Sequence, residues 1–123
     1  PYIAYPYSLN KLTHSKTRYG LFRALYDEER RIQLGGVTTE WLCAAHGAMN
    51  TIEKSAGAIT TPSLVLSADN DAIIDNKRQR RVVGQMPNAR LVVIEKAYHE
   101  IFTESDDLRE EAMTKVLDFL AAT

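Results

Sequence analysis

The spacing of apolar positions along the chain changes from helical to strand-like and back. In "NKLTHSKTRYGLFRALYDEERRIQ", Leu12, Tyr19, Leu21, Phe22, Leu25 and Tyr26 recur at roughly helical spacing, with Asn10 or Thr13 available as an N-cap. This predicts a helix over about residues 16 to 30. Gly35 and Gly36 then break the pattern, and Thr38 or Thr39 can cap a second helix through "EWLCAAHGAMNTIEKSA". After Pro62 a short apolar run, Ser63 to Ser67, reads as a strand, stopped by the polar cluster Asp69, Asn70 and Asp71. Residues from about Asp75 to Met86 are strong helix formers with Val82, Val83 and Met86 as an inner face, ended by Pro87 and Asn88. "ARLVVIEKA" supplies a second strand. "ESDDLREEAMTKVLDFLAAT" closes the chain as a helix with an acidic first turn and an apolar face of Leu108, Ala112, Val116, Leu117 and Leu120.

A strand, a crossover helix and a second strand at this spacing make a right-handed unit with parallel strands. Both strands are apolar at nearly every position, as expected of strands covered by helices on both faces. Two strands are too few to close such a sheet, since globular sheets commonly hold about four to six. The expected fold class is therefore α/β, with this chain as the C-terminal part of a larger domain. Its start at Pro1 and not at Met agrees with a chain that begins mid-protein.

Composition narrows the function. Fifteen basic and sixteen acidic side chains give a formal net charge of −1, so no sequence-wide field favours nucleic acid as a partner. The single cysteine, Cys43, excludes an intrachain disulfide or a thiolate metal cage, and no apolar run is long enough to span a bilayer. These features predict a soluble, intracellular chain. No H-E-x-x-H pair and no glycine-rich phosphate loop after a strand is present, so neither a metal nor a cofactor is expected.

In open parallel sheets functional groups collect outside the carboxyl ends of the strands. Two loops qualify here. One carries Asp69, Asp71 and Asp75; the other carries His99 and Glu100. Parallel strands bring both loops to the same edge, where a carboxylate can fix the tautomer of an imidazole and leave its other nitrogen to accept a proton. On spacing alone, Asp71 also reads as a cap for the following helix, a role Asp69 and Asp75 fit equally, and His99 as a histidine bonded to the strand end. His14 and His46 read as packing or surface residues on helical stretches.

At these residues the chain resembles the α/β-hydrolase superfamily, and within it the monoacylglycerol-lipase-like lysophospholipases of the bacterial lysophospholipase L2 group. The similarity lies in Leu12 to His14, Arg18 to Tyr19, Gly35 to Gly36 and Thr38 to Trp41, in "ITTPSLVLSADNDAIIDN", and in "KAYHEIFTESDDLREEAMTKVLDF". It implies that residues 1–60 are cap helices and residues 61–123 a C-terminal βαβα part of the core. It also implies that Asp71 is the acid and His99 the base of a Ser-His-Asp triad hydrolysing a lysophospholipid or monoacylglycerol ester. As a set, Tyr19, Phe22, Tyr26 and Trp41 could line an acyl-chain channel in the cap, although each singly reads as packing between the cap helices.

The chain departs from the family in one respect. It contains no Gly-x-Ser-x-Gly elbow, and Ser15, Ser55, Ser63, Ser67 and Ser105 lack that context. The nucleophile is expected from an N-terminal half of the same fold, and the chain alone is expected to be inactive. The expected partners are that half and a lipid or small ester, with a cytoplasmic location and peripheral membrane contact through the cap. Two other readings stand beside this one: a hydrolase of the same fold acting on small esters, peptides or epoxides, and a non-catalytic α/β module binding a protein through its sheet edge.

Overall fold

A computed structural model describes residues 2–123. The order of elements follows the pattern of apolar positions: α1 (Lys16–Glu28), α2 (Thr39–Ser55), β1 (Ser63–Ala68), α3 (Asn76–Val83), β2 (Ala89–Ile94) and α4 (Asp106–Ala122). Short 3₁₀ turns fill several of the connections.

The helix starts have local causes. Ser15, and neither Asn10 nor Thr13, caps α1, its Oγ accepting from the Arg18 N–H at 3.2 Å. Asn10 instead folds its own loop, its Oδ1 accepting from the Leu12 N–H at 2.7 Å. Thr38 Oγ1 accepts from the Trp41 N–H and starts α2; Asp75 Oδ1 accepts from the Lys77 and Arg78 N–H groups and starts α3. α3 ends at Val83 and not at Met86. There the backbone tightens into three-residue bonds, Gln85 N–H to Val82 and Met86 N–H to Val83, which release the chain ahead of Pro87.

The two strands are parallel, in register from Ser63 opposite Ala89 to Ala68 opposite Ile94. Burial is concentrated at their carboxyl ends. Ala68, Ile94, Ala97 and Ala112 form the core, with Leu66, Val92, Ile101 and Leu108 packed against it. The earlier strand residues Leu64, Val65, Leu91 and Val93 are half-buried, so the two-sided cover their composition calls for is only partial in this chain. The outer half of α4 follows the same rule. The apolar cluster stops at Ala112, and Leu117 and Leu120, expected on the inner face, are exposed because the two strands offer them no surface. Phe102, in the turn before α4, is exposed as well.

Ion pairs join α2 to α3: Glu53 accepts from Arg78 Nε at 2.9 Å and from Arg81 Nε at 2.7 Å, and Asn50 accepts from the Arg78 guanidinium. α2 is thereby tied to the helix that follows the Asp71 loop.

Candidate active site

The loops after β1 and β2 are laced to one another by backbone bonds. The Asp69 N–H donates to Ile94 O at 3.1 Å and the Asn70 N–H to Ala97 O at 3.0 Å. Lys96, in the left-handed region with φ 64°, turns the chain back over the sheet edge. This lacing fixes how far apart the next side chains can be.

Asp71 and His99 meet, with His99 Nδ1 2.8 Å from Asp71 Oδ2. The other carboxylate oxygen, Oδ1, accepts from the Ile73 N–H at 2.8 Å and the Ile74 N–H at 3.0 Å. Asp71 does not cap α3, a role Asp75 takes; it braces its own loop with one oxygen and holds the imidazole with the other. Its side chain is 6% exposed, against 29% for His99, so the acid is enclosed while the ring reaches solvent. Burial pushes the Asp71 carboxyl up, but the bonds from His99, Ile74 and Ile73 outweigh it and hold the group below its ordinary value of 3.8. An ionised carboxylate only accepts, so His99 Nδ1 donates, and the neutral ring keeps its lone pair on Nε2. Asp75 caps α3, and Glu100 is exposed, its N–H donating to Leu12 O at 2.8 Å.

A second histidine and carboxylate pair lies alongside, and the sequence pattern did not mark it. Glu104, expected in the acidic first turn of the last helix, precedes α4 and is fully buried. Its Oε1 accepts from the Tyr98 N–H at 2.7 Å and from His14 Nδ1 at 2.8 Å; its Oε2 accepts from the His14 and Ser105 N–H groups, both at 2.9 Å. Burial raises this carboxyl too, and the bonds from Tyr98, His14 and Ser105 more than offset it, leaving it below 4.5. His14 is not helical; it precedes the cap of α1, and its ring stacks on Tyr98 at 3.8 Å between centroids. In "HEIFTESDD" Glu104 is one acid among four, and only a tertiary partner distinguishes it.

Because both carboxyls are depressed, each stabilises the fold fully above its ordinary value and ceases to do so as pH falls through its lower folded value. Urea midpoints are expected to stay level from pH 7 to about 5 and to fall steeply from about pH 4.5 downward as these two groups titrate. Asp71→Asn should flatten part of that acid limb; an unchanged limb would show that Asp71 is not held in this way.

The four aromatic residues Tyr19, Phe22, Tyr26 and Trp41 are only partly gathered. Tyr19 is buried, its hydroxyl donating to Tyr5 O at 2.7 Å. With Phe22 it borders a cavity of about 70 Å³ that Glu100 and Thr103 also line. Phe22 leans on Tyr26 at 4.7 Å, and Tyr26 stacks on Tyr2. Trp41 stands apart on α2, exposed. Beside the acid loop, Met49 and Ile52 of α2 face Ile73, Ile74, Val82 and Val83 across an apolar groove of about 380 Å³. Among the described residues no cluster of three or more His, Cys, Asp or Glu side chains is gathered for a metal, and no helix is long and apolar enough to cross a membrane.

Parallel strands with an aspartate and a histidine bonded at their carboxyl edge, preceded by helices and closed by one, have the arrangement of the C-terminal part of the α/β-hydrolase fold. The same fold is found in a soluble variant of monoglyceride lipase from Saccharomyces cerevisiae, solved with a substrate analog. It superposes with a TM-score of 0.69 at 18% identity, over 98% of this chain and 43% of that one. The chain belongs to the family described as serine aminopeptidase, S33, which it matches over residues 2–106. It is 33% identical to lysophospholipase L2 of Escherichia coli strain K12 over 94% of its own length, and 34% identical to a probable lysophospholipase L2 of Haemophilus influenzae over 90%. In both cases it spans 36% of the relative's length.

Proposed function

We propose that these residues are the acid and base portion of a carboxylic ester hydrolase acting on lysophospholipids or monoacylglycerols. The observation that carries this is the Asp71–His99 bond, which engages Nδ1 of a solvent-reaching imidazole and leaves Nε2 for proton transfer. In the proposed reaction His99 Nε2 takes the proton of a serine hydroxyl as that oxygen attacks the ester carbonyl. It then returns the proton to the departing alcohol, and in the second half it activates water against the acyl-enzyme. Asp71 keeps Nδ1 protonated throughout and stabilises the imidazolium. The serine comes from outside these 123 residues, as do the donors that stabilise the oxyanion, so the chain alone is inactive.

A lipid substrate is supported by the lysophospholipase names of the relatives and by apolar surface near the acid loop. Residues 1–60 are taken as the cap over the strand ends, and residues 61–123 as core. Within the cap, Tyr19 and Tyr26 hold the aromatic cluster together, while the exposed Phe22 and Trp41 meet acyl chains or a lipid surface from the cytoplasmic side. Turnover of lysophosphatidylcholine and of a short-chain ester by the full-length native protein tests the reading. The expected result is a clear preference in kcat/KM for the lipid and no turnover by residues 1–123 alone. Preference for the short ester would remove the lipid assignment, and triad-dependent turnover by residues 1–123 would remove the divided site.

A further inference from the structure

Glu104 is buried as a charged group, with four donors aimed at its two oxygens. A carboxylate offers about four acceptor positions, so its capacity is filled. Retaining such a group in the interior is costly unless every bond is made, and removal of any partner leaves charge unmatched. The donors are not scattered. One is the N–H of Tyr98, the residue before His99; two belong to His14; the fourth is Ser105 at the start of α4.

The residue after His99 is held from the same side. The Glu100 N–H donates to Leu12 O at 2.8 Å, and Thr13 Oγ1 donates to Thr103 O at 2.7 Å. The Tyr98 ring stacks on the His14 ring, which adds a planar constraint to the backbone bond. His99 is thus bracketed. Its ring is fixed by Asp71, and its backbone on both flanks by the Leu12 to His14 segment, directly at Glu100 and through Glu104 at Tyr98.

We propose that Glu104 and His14 form a positioning pair that sets the direction of His99 Nε2, making residues 12–14 part of the machinery that aims the base. This rests on the reading of His99 as the base. Neither residue touches substrate; they act through the main chain of residues 98–100. Preorganised placement of this kind is sensitive, because a displacement of about 1 Å at a reacting group can cost 10²-fold in rate.

The test uses the full-length native protein with Glu104→Gln and His14→Phe, the latter keeping an aromatic ring on Tyr98 but removing the ring donor to Glu104. Steady-state kinetics are read together with the downfield Nδ1–H proton resonance of His99. Glu104→Gln is expected to lower kcat about 10- to 100-fold with KM within about twofold, and to shift or broaden that resonance. His14→Phe is expected to move both readouts in the same direction by about three- to tenfold in kcat. A folded Glu104→Gln protein with kcat within about twofold of wild type and an unmoved resonance would overturn the proposal. If Glu104→Gln does not fold, His14→Phe decides on the same two readouts, and no change in either overturns it. Failure of the underlying reading looks different: the wild-type resonance would then be absent, or indifferent to Asp71→Asn.

Discussion

Asp71→Asn in the full-length protein is expected to lower kcat about 10⁴-fold, the loss typical when the acid of a serine, histidine and acid triad becomes an amide. The local bonds explain why the amide cannot adapt. Oδ1 of Asp71 accepts from two backbone N–H groups, Ile73 and Ile74, so an asparagine keeps its oxygen there and must turn its NH₂ toward His99. The imidazole then accepts at Nδ1, carries its proton on Nε2, and cannot take one from a serine. KM should change little, because the acid does not touch substrate. His99→Ala should cost at least 10²-fold through loss of the proton-transfer step itself. Steady-state kinetics on a lysophospholipid check both, and a loss below about tenfold in either variant would end the assignment of these residues as acid and base.

Ile94→Ala is expected to destabilise the fold by about 3 kcal/mol, within the range measured for truncation of fully buried aliphatic side chains. Ile94 is wholly buried, and three of its neighbours in the central cluster, Ala68, Ala97 and Ala112, are too small to fill the space it would vacate. Its carbonyl accepts from the N–H groups of Asp69 and Ala97, so the cavity would open directly beneath both loops. Against a typical total of about 5–15 kcal/mol, such a loss is a large share of stability. Urea unfolding of wild type and variant gives the difference, and a shift below about 1 kcal/mol would show that the cluster is not the core.

The local chemistry of the chain made most elements readable. Gly35 and Gly36 separated two helical runs, Pro62 and the Asp69 to Asp71 cluster bounded a strand, and parallel pairing followed from the crossover helix. Strand direction placed the loops of Asp71 and His99 on one edge, but spacing alone left Asp69, Asp71 and Asp75 equally open as caps, and the family resemblance singled out Asp71 and His99. What escaped depends on tertiary contact. Ser15 caps α1 where Asn10 was as good on paper, since Asn10 is committed to its own loop. Glu104 looked like a solvated acid at a helix start, and nothing within ten residues announced that His14 would reach it. Leu117 and Leu120 had the spacing of an inner face, yet spacing does not say whether a partner surface is present.

The bonds between Thr13 and Thr103 and between His14 and Glu104 join segments 90 residues apart. Closing so long a loop restricts the unfolded chain heavily, and the restriction is offset only once the surrounding contacts exist. The local pieces, α4 and the β1–α3–β2 unit, can form before this closure; the brace on His99 cannot. The orientation of His99 is therefore expected to be among the last features set during folding, after the sheet is in place.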